Sequence, residues 1–141
     1  MSSPQPYLSA DDKFAPGADN VRKVEYILTA DEIKELYTNP FLLVPAPGTG
    51  NIISPVKAYI HYMYGSIAYT QPGNTNITEA SNNLIQFGNF LNLTANKYTV
   101  VFPSSVTLTP NTAVYLANTT ADPTNGDGTL KIEFYYQIVK E

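Results

Sequence analysis

From Leu130 to Val139 the chain reads Leu-Lys-Ile-Glu-Phe-Tyr-Tyr-Gln-Ile-Val, apolar and polar side chains in near-strict alternation. Side chains on a strand point to opposite faces in turn, so this period marks a β-strand with one buried face. The segment just before it, Asn125-Gly126-Asp127-Gly128, supplies the positive φ angles that a tight hairpin turn requires. A strand of this length needs neighbours to pair with and a second layer to cover its apolar face, and the rest of the sequence has to provide both.

The earlier segments do so in short pieces. Val21 to Leu28 alternates, with Val24, Tyr26 and Leu28 on one face, and suits a first strand. The period then changes. Thr29-Ala30-Asp31-Glu32 has the form of a capping box, and Ile33, Leu36 and Tyr37 follow on one face of a short helix that Pro40 stops. Phe41 to Val44 is a short apolar strand, and Pro45 to Gly50 is a turn, since its prolines and glycines cannot sustain a central strand. Ile52 to Tyr64 is the longest strand candidate, with Val56, Ala58, Ile60, Tyr62 and Tyr64 on one face. Lys57, Tyr59, His61 and Met63 fall on the other, an amphipathic face that suggests cover by another sheet or subunit. Gly65 is a candidate bulge, and Ser66 to Thr70 continues or returns the strand. Further strands are predicted at Ile77 to Glu79, Leu84 to Phe87, Phe90 to Leu93, Tyr98 to Phe102, Val106 to Leu108 and Ala113 to Ala117.

Many short strands closed by Asn, Gly or Pro predict an all-β fold, a sandwich or a barrel, and the expectation is a single β-sandwich with one short N-terminal helix. A chain of 141 residues fits one domain. The predicted division is a flexible N-terminal arm over residues 1–20, rich in proline and poor in large apolar side chains, and a β-sandwich domain over residues 21–141.

Charged residues make up 14% of the sequence, against about 25% in an ordinary soluble domain. Apart from the adjacent Arg22 and Lys23 the bases are scattered singly, and the net charge is −4, which argues against nucleic-acid binding by counterion release. With no cysteine there is no disulfide or thiolate metal site. No apolar run approaches the length of a membrane helix, so no membrane partner is expected. The first residues, Met-Ser-Ser-Pro-Gln-Pro, lack the charged head and apolar stretch of a signal peptide, which points to assembly in a cytoplasm.

No residue pattern points to catalysis. His61, the single histidine, lies mid-strand without the Ser/His/Asp ordering of a hydrolase. Asp31, Glu32 and Glu35 sit where they complement the positive end of a helix. Asp122 and Asp127 flank Pro123-Thr124-Asn125-Gly126, but the spacing and closing Glu of a calcium loop are missing, and a turn is the better reading. The expectation is a non-enzyme with no cofactor and no metal. The eleven tyrosines admit a sugar-stacking role, with Tyr59, Tyr62, Tyr64, Tyr69 and Tyr98 the first candidates. Tyrosine is equally at home in strands and at protein interfaces.

Three stretches carry a resemblance: Thr29 to Tyr37, Leu43 to Gly50, and Asn125 through Val139. Together they resemble a group of small virion structural proteins of tailed bacteriophages, of the head-decoration or fibre-associated kind. The likeness implies a sandwich or jelly roll displayed on the virion, often as a homo-oligomer, and implies no catalytic site. The resulting expectation is a homo-oligomer, a trimer, that attaches to the phage head through the major capsid protein or other virion proteins. Its contacts are expected at Tyr59, His61, Met63 and Tyr135 and at the arm residues Tyr7, Leu8 and Phe14. A tail or fibre component and a carbohydrate-binding module for a host glycan are the alternatives.

Overall fold

The structure, a computed structural model, describes residues 20–80 and 82–141. The expected arm over residues 1–20, with Tyr7, Leu8 and Phe14, lies outside the described residues apart from Asn20. The elements, in order, are β1 (Arg22–Leu28), α1 (Ala30–Ile33), β2 (Phe41–Val44), β3 (Asn51–Met63), β4 (Tyr69–Thr70), β5 (Thr75–Glu79), β6 (Asn82–Gly88), β7 (Lys97–Val101), β8 (Val114–Asn118), β9 (Thr124–Asn125) and β10 (Thr129–Lys140).

All strand pairs are antiparallel. With the small pair β4 and β9 set aside, the strands nest from the outside in: β1 pairs with β10, β2 with β8, β3 with β7, and β5 with β6. Two further pairings, β10 with β3 and β8 with β5, roll this long hairpin into two four-stranded sheets, ordered β1-β10-β3-β7 and β2-β8-β5-β6. Nested pairs rolled into two facing sheets are the jelly roll. The expected all-β sandwich is therefore what the chain forms.

Between the sheets lies one core. Leu130, Ile132 and Phe134 of β10 and Ala58, Ile60 and Tyr62 of β3 are fully buried, as are Ile77, Leu84, Ile85, Val114 and Leu116 of the second sheet. The alternation in β10 thus does what it predicts. In β3 the inward phase changes, from odd at Ile53 to even at Ala58. The cause is a bulge: Tyr135 pairs with Lys57 and Tyr136 with Pro55, so Val56 is the extra residue. Pro55, which has no N–H to give a ladder, sits beside that irregularity. The bulge expected at Gly65 is here instead. Gly65 follows the strand, where an added Cβ would lie 2.5 Å from an Asp127 carboxylate oxygen.

The capping box forms as expected, with the Thr29 hydroxyl accepting from the Glu32 amide and Glu32 accepting from the Thr29 amide. The helix nevertheless lasts only from Ala30 to Ile33. Asp122, far along the chain, accepts the amides of Tyr37 and Thr38, both at 2.9 Å, and draws them away from helical partners. Ile33 and Leu36 are buried as expected, while Tyr37 is half exposed.

Two predicted strands do not form. Phe90 and Leu91 are buried, but in a turn, where the Leu91 amide donates to the Gln71 side chain rather than to a ladder. Val106 and Leu108 pack on the core from an irregular strap tied down by Ser104 N–H to Leu84 O and Thr109 N–H to Glu79. The turn before β10 has the expected positive φ at Asn125 (58°) and Gly126 (71°). It is not a hairpin, because β9 pairs with β4 rather than with β10.

Candidate interaction surface

The register of the first sheet determines which side chains share its outer face. One row runs Ile27, Lys131, His61, Tyr98 across β1, β10, β3 and β7, and the next runs Glu25, Glu133, Tyr59, Val100. A third carries Lys23, Tyr135 and Lys57, and Met63 lies opposite Thr129 beyond the first row. The four expected contact residues of this region, Tyr59, His61, Met63 and Tyr135, therefore lie on one surface, each half-buried. Tyr98 joins them from the neighbouring strand.

The aromatic rings hold one another in place. Tyr59 meets Tyr98 edge to face at 6.3 Å and Tyr135 at 5.8 Å, and the His61 ring lies 5.0 Å from that of Tyr98. The Lys57 ammonium sits 5.4 Å from the Tyr59 ring and 5.1 Å from the Tyr135 ring. Edge-to-face pairs contribute about 0.5–1.5 kcal/mol each and exposed cation–π contacts about 0.5–1. They also fix the ring orientations within the face.

Charges are interleaved with the rings. Lys131 lies 3.4 Å from both Glu25 and Glu133, and Lys23 lies 3.3 Å from Glu25. The Glu133 hydrogen bond, then the charge of Glu25, raises the Lys131 ammonium above its usual range. Hydrogen bonding to Lys23 lowers the Glu25 carboxyl. These pairs face water and add little to stability, but they tile the face with both signs.

Of the proposed sugar-stacking rings, Tyr98 is exposed and Tyr59 half-buried, both on this face. Tyr62 and Tyr69 are buried in the core, their hydroxyls donating to Leu93 O and Gly128 O. Tyr64 is half-buried and donates to Ser66 O.

Elsewhere the polar side chains bind the protein to itself. Asp127 accepts the amides of Ser66 and Ile67 and the Ser66 hydroxyl, and Asp122 accepts the Thr38 hydroxyl besides the two amides already described. The Ser66 hydroxyl and these amides lower the Asp127 carboxyl, and the Thr38 amide leads the same effect at Asp122. Both carboxylates fasten loops, and no sequence-local signal could have revealed it, because their partners are more than 55 residues away. Buried Asn118 accepts from Gln71 and Thr75 and donates to the carbonyls of Pro72, Thr119 and Ala121. A shallow depression of about 380 Å³ between Asn39, Pro40, Thr78, Ala80 and Tyr115 carries no histidine, carboxylate or lysine. Among the described residues, no group of three or more His, Cys, Asp or Glu gathers, and no helix is long and apolar enough to cross a membrane.

The fold class defined here is a two-sheet jelly roll with an aromatic, charge-tiled outer face. Compared with solved structures, the chain is similar to one in the capsid of Ralstonia phage GP4, over 91% of this chain and 90% of that one, with a TM-score of 0.51 and 14% identity. That likeness is one of fold. No protein-family model and no curated protein matches the sequence.

Proposed function

We propose that this chain is a non-enzymatic virion structural protein of a tailed bacteriophage, a capsid-associated decoration or fibre-base protein that oligomerises and attaches to the phage head. The observation that carries this reading is the end-to-end likeness of the nested jelly roll to a phage capsid chain. It agrees with the resemblance carried by the sequence at Thr29 to Tyr37, Leu43 to Gly50 and Asn125 to Val139.

In this reading the chemistry is adhesion. Copies associate, as a trimer, through the outer face bearing Tyr59, His61, Met63 and Tyr135, and residues 1–20, with Tyr7, Leu8 and Phe14, anchor the assembly to the major capsid protein or another virion protein. Symmetry multiplies weak contacts into durable attachment. The test is to locate the chain by electron cryomicroscopy in intact particles and to repeat the measurement after deleting residues 2–20. Loss of the truncated chain from the particle, with its oligomer intact in solution, is the expected result. Density for the full chain at a tail, or its absence from particles, overturns the head-bound reading.

A second reading, recognition of a host glycan, is favoured by one observation: the Tyr98 ring is 67% exposed and ordered by His61. A glycan array that gives signal with the native chain and none with Tyr98→Ala would promote it.

A further inference from the structure

Four strands bound the two sheets: β1 and β7 the first, β2 and β6 the second. An unpaired edge offers its N–H and C=O groups to any other strand, and natural sheets blunt such edges with charge, brevity or bulges. Three of these four are blunted. β1 carries Arg22, Lys23 and Glu25. β2 has four residues and a register shift against β8. β6 pairs with β5 across two register shifts and presents Asn82, Asn83 and Gln86.

β7 is the least protected of the four. It pairs with β3 in unbroken register from Lys97 to Val101, and Lys97, at its start, is its one charge. Among the described residues nothing pairs with its other edge. Tyr98, Val100 and Phe102 alternate along the segment and are 67%, 39% and 63% exposed. An unpaired, largely apolar edge in unbroken register is what strand addition uses.

We infer that β7 is a self-association strand: two copies of this chain pair β7 with β7, antiparallel about a two-fold axis at Val100, and join their first sheets into one. This inference rests on the reading that the chain self-associates and adds a second, two-fold contact that joins the trimers of that reading edge to edge. The segment is self-complementary in that register. Tyr98 of one copy lies opposite Phe102 of the other, Val100 lies opposite Val100, and the three exposed apolar side chains form one ladder on the outer face. Pro103 ends the ladder because it has no N–H. The chain's own residues 1–20 are the poorer occupant, since Pro4, Pro6 and Pro16 and the charged run Asp11-Asp12-Lys13 leave Tyr7 to Ala10 as their longest run free of proline and charge, shorter than β7. The seam also continues the surface already described, because Tyr98 packs against His61 and Tyr59. Two paired edge strands bury less than the ~1,200 Å² of a stable interface, so the contact is weak alone and gains from many copies held side by side.

The two-fold makes residue 100 face itself, and this gives the test. Sedimentation of the full chain over a range of concentrations is compared for the native protein, Val100→Lys, Val100→Glu, and an equimolar mixture of the two variants. Either variant alone places like charges across the axis, so association through the seam is expected to weaken by at least about tenfold. Mixing sets Lys against Glu and is expected to restore it. If Val100→Lys assembles like the native chain, or if the mixture associates no better than its components, the seam is overturned. Should a charged variant fail to fold, Tyr98→Ser with Phe102→Ser, both at exposed positions, is expected to give the same loss, and unchanged association there overturns the seam equally. A native oligomer indifferent to all these changes removes the seam and leaves self-association standing. A chain that is monomeric throughout overturns both, and a chain missing from particles while still pairing overturns only the virion reading.

Discussion

The two sheets are specified in different ways. In the first, β3 and β10 run 13 and 12 residues, and one apolar face, Ala58, Ile60 and Tyr62 against Leu130, Ile132 and Phe134, fixes the register. A slip of one residue would turn that whole set to solvent, so apolar burial alone enforces the pairing. The second sheet has strands of four to seven residues with three register shifts in its ladders. Its short strands carry too little alternation to set a register, and buried polar side chains supplement them: Gln71, Thr75, Asn76, Glu79 and Asn118. Such groups are costly unless each finds its partner, which makes them specific. One sheet thus leaves its outer polar and aromatic groups available for presentation, and the other spends its polar groups on holding itself together.

The largest effect that follows is at Asn118. Replacing it with Ala strips partners from Gln71, Thr75 and three carbonyls at once. Each buried group left unmade costs about 1–3 kcal/mol, so Asn118→Ala is expected to cost about 3–5 kcal/mol in urea unfolding. A loss below about 1 kcal/mol would break the comparison.

Glu79 comes next. It is fully buried, one carboxyl oxygen accepts the Thr109 amide at 2.7 Å, and the other has no partner. Burial pushes this carboxyl above its usual range, and the residues opposite it, Asn82 and Val114, bring no charge. The folded state therefore keeps a proton that the unfolded chain releases. Stability from this group is full below the ordinary glutamate range and is lost as the pH rises through it toward the raised value. Glu79→Gln keeps the acceptor and removes the titration, so its melting temperature is expected to flatten with pH and to exceed the native one above that window. Glu79→Ala orphans the Thr109 amide, which is expected to cost about 1–2 kcal/mol. A native pH profile identical to that of Glu79→Gln would show that the strap is not held by a protonated acid.

What could be read from the sequence follows the same division. The ends of β1, β2, β3 and β10 fall within a residue or so of their expected places because burial writes a period into the chain. Val106 and Leu108 look like a strand because they too are apolar at alternate positions. The backbone beside them is taken, since Glu79 accepts the Thr109 amide and the Asn82 side-chain amide donates to Thr107 O, and those partners lie more than 20 residues away. The helix is overestimated for the same reason, since Asp122 takes amides that local sequence assigns to another turn. On the outer face, the alternation within β3 is enough by itself to put Tyr59, His61 and Met63 on one side. Tyr98 comes beside them only through the pairing of β7 with β3, which no local pattern records.

The two loop-fastening aspartates carry a smaller effect of opposite sign to that of Glu79. Hydrogen bonds from the Ser66 hydroxyl and the amides of Ile67 and Ser66 lower the Asp127 carboxyl, and amides of Thr38 and Tyr37 act likewise on Asp122. Their contribution is present above the ordinary aspartate range and is lost as the pH falls through the lowered values. Asp127→Asn with Asp122→Asn is expected to unfold at a less acidic midpoint than the native chain when followed by circular dichroism. An unchanged acid limb would mean that the loops hold without these anchors.

Smallest of all on stability is the expected effect of Tyr98→Ala, and this is where the comparison is sharpest. The ring is exposed, touches only Tyr59 and His61 among aromatic groups, and stands on an edge strand. Losing it should change unfolding by less than about 1 kcal/mol, within the range of surface substitutions with a few weak contacts. Yet the same ring stands in the proposed β7 ladder and in the aromatic face, so association measured by sedimentation should suffer while the melting curve barely moves. Asn118→Ala should do the reverse at sub-unfolding temperatures, lowering the melting point while leaving the association of the folded chain intact. If Tyr98→Ala costs as much as Asn118→Ala, the outer face is part of what holds the fold together, and the separation of a presenting sheet from a self-fastening one fails.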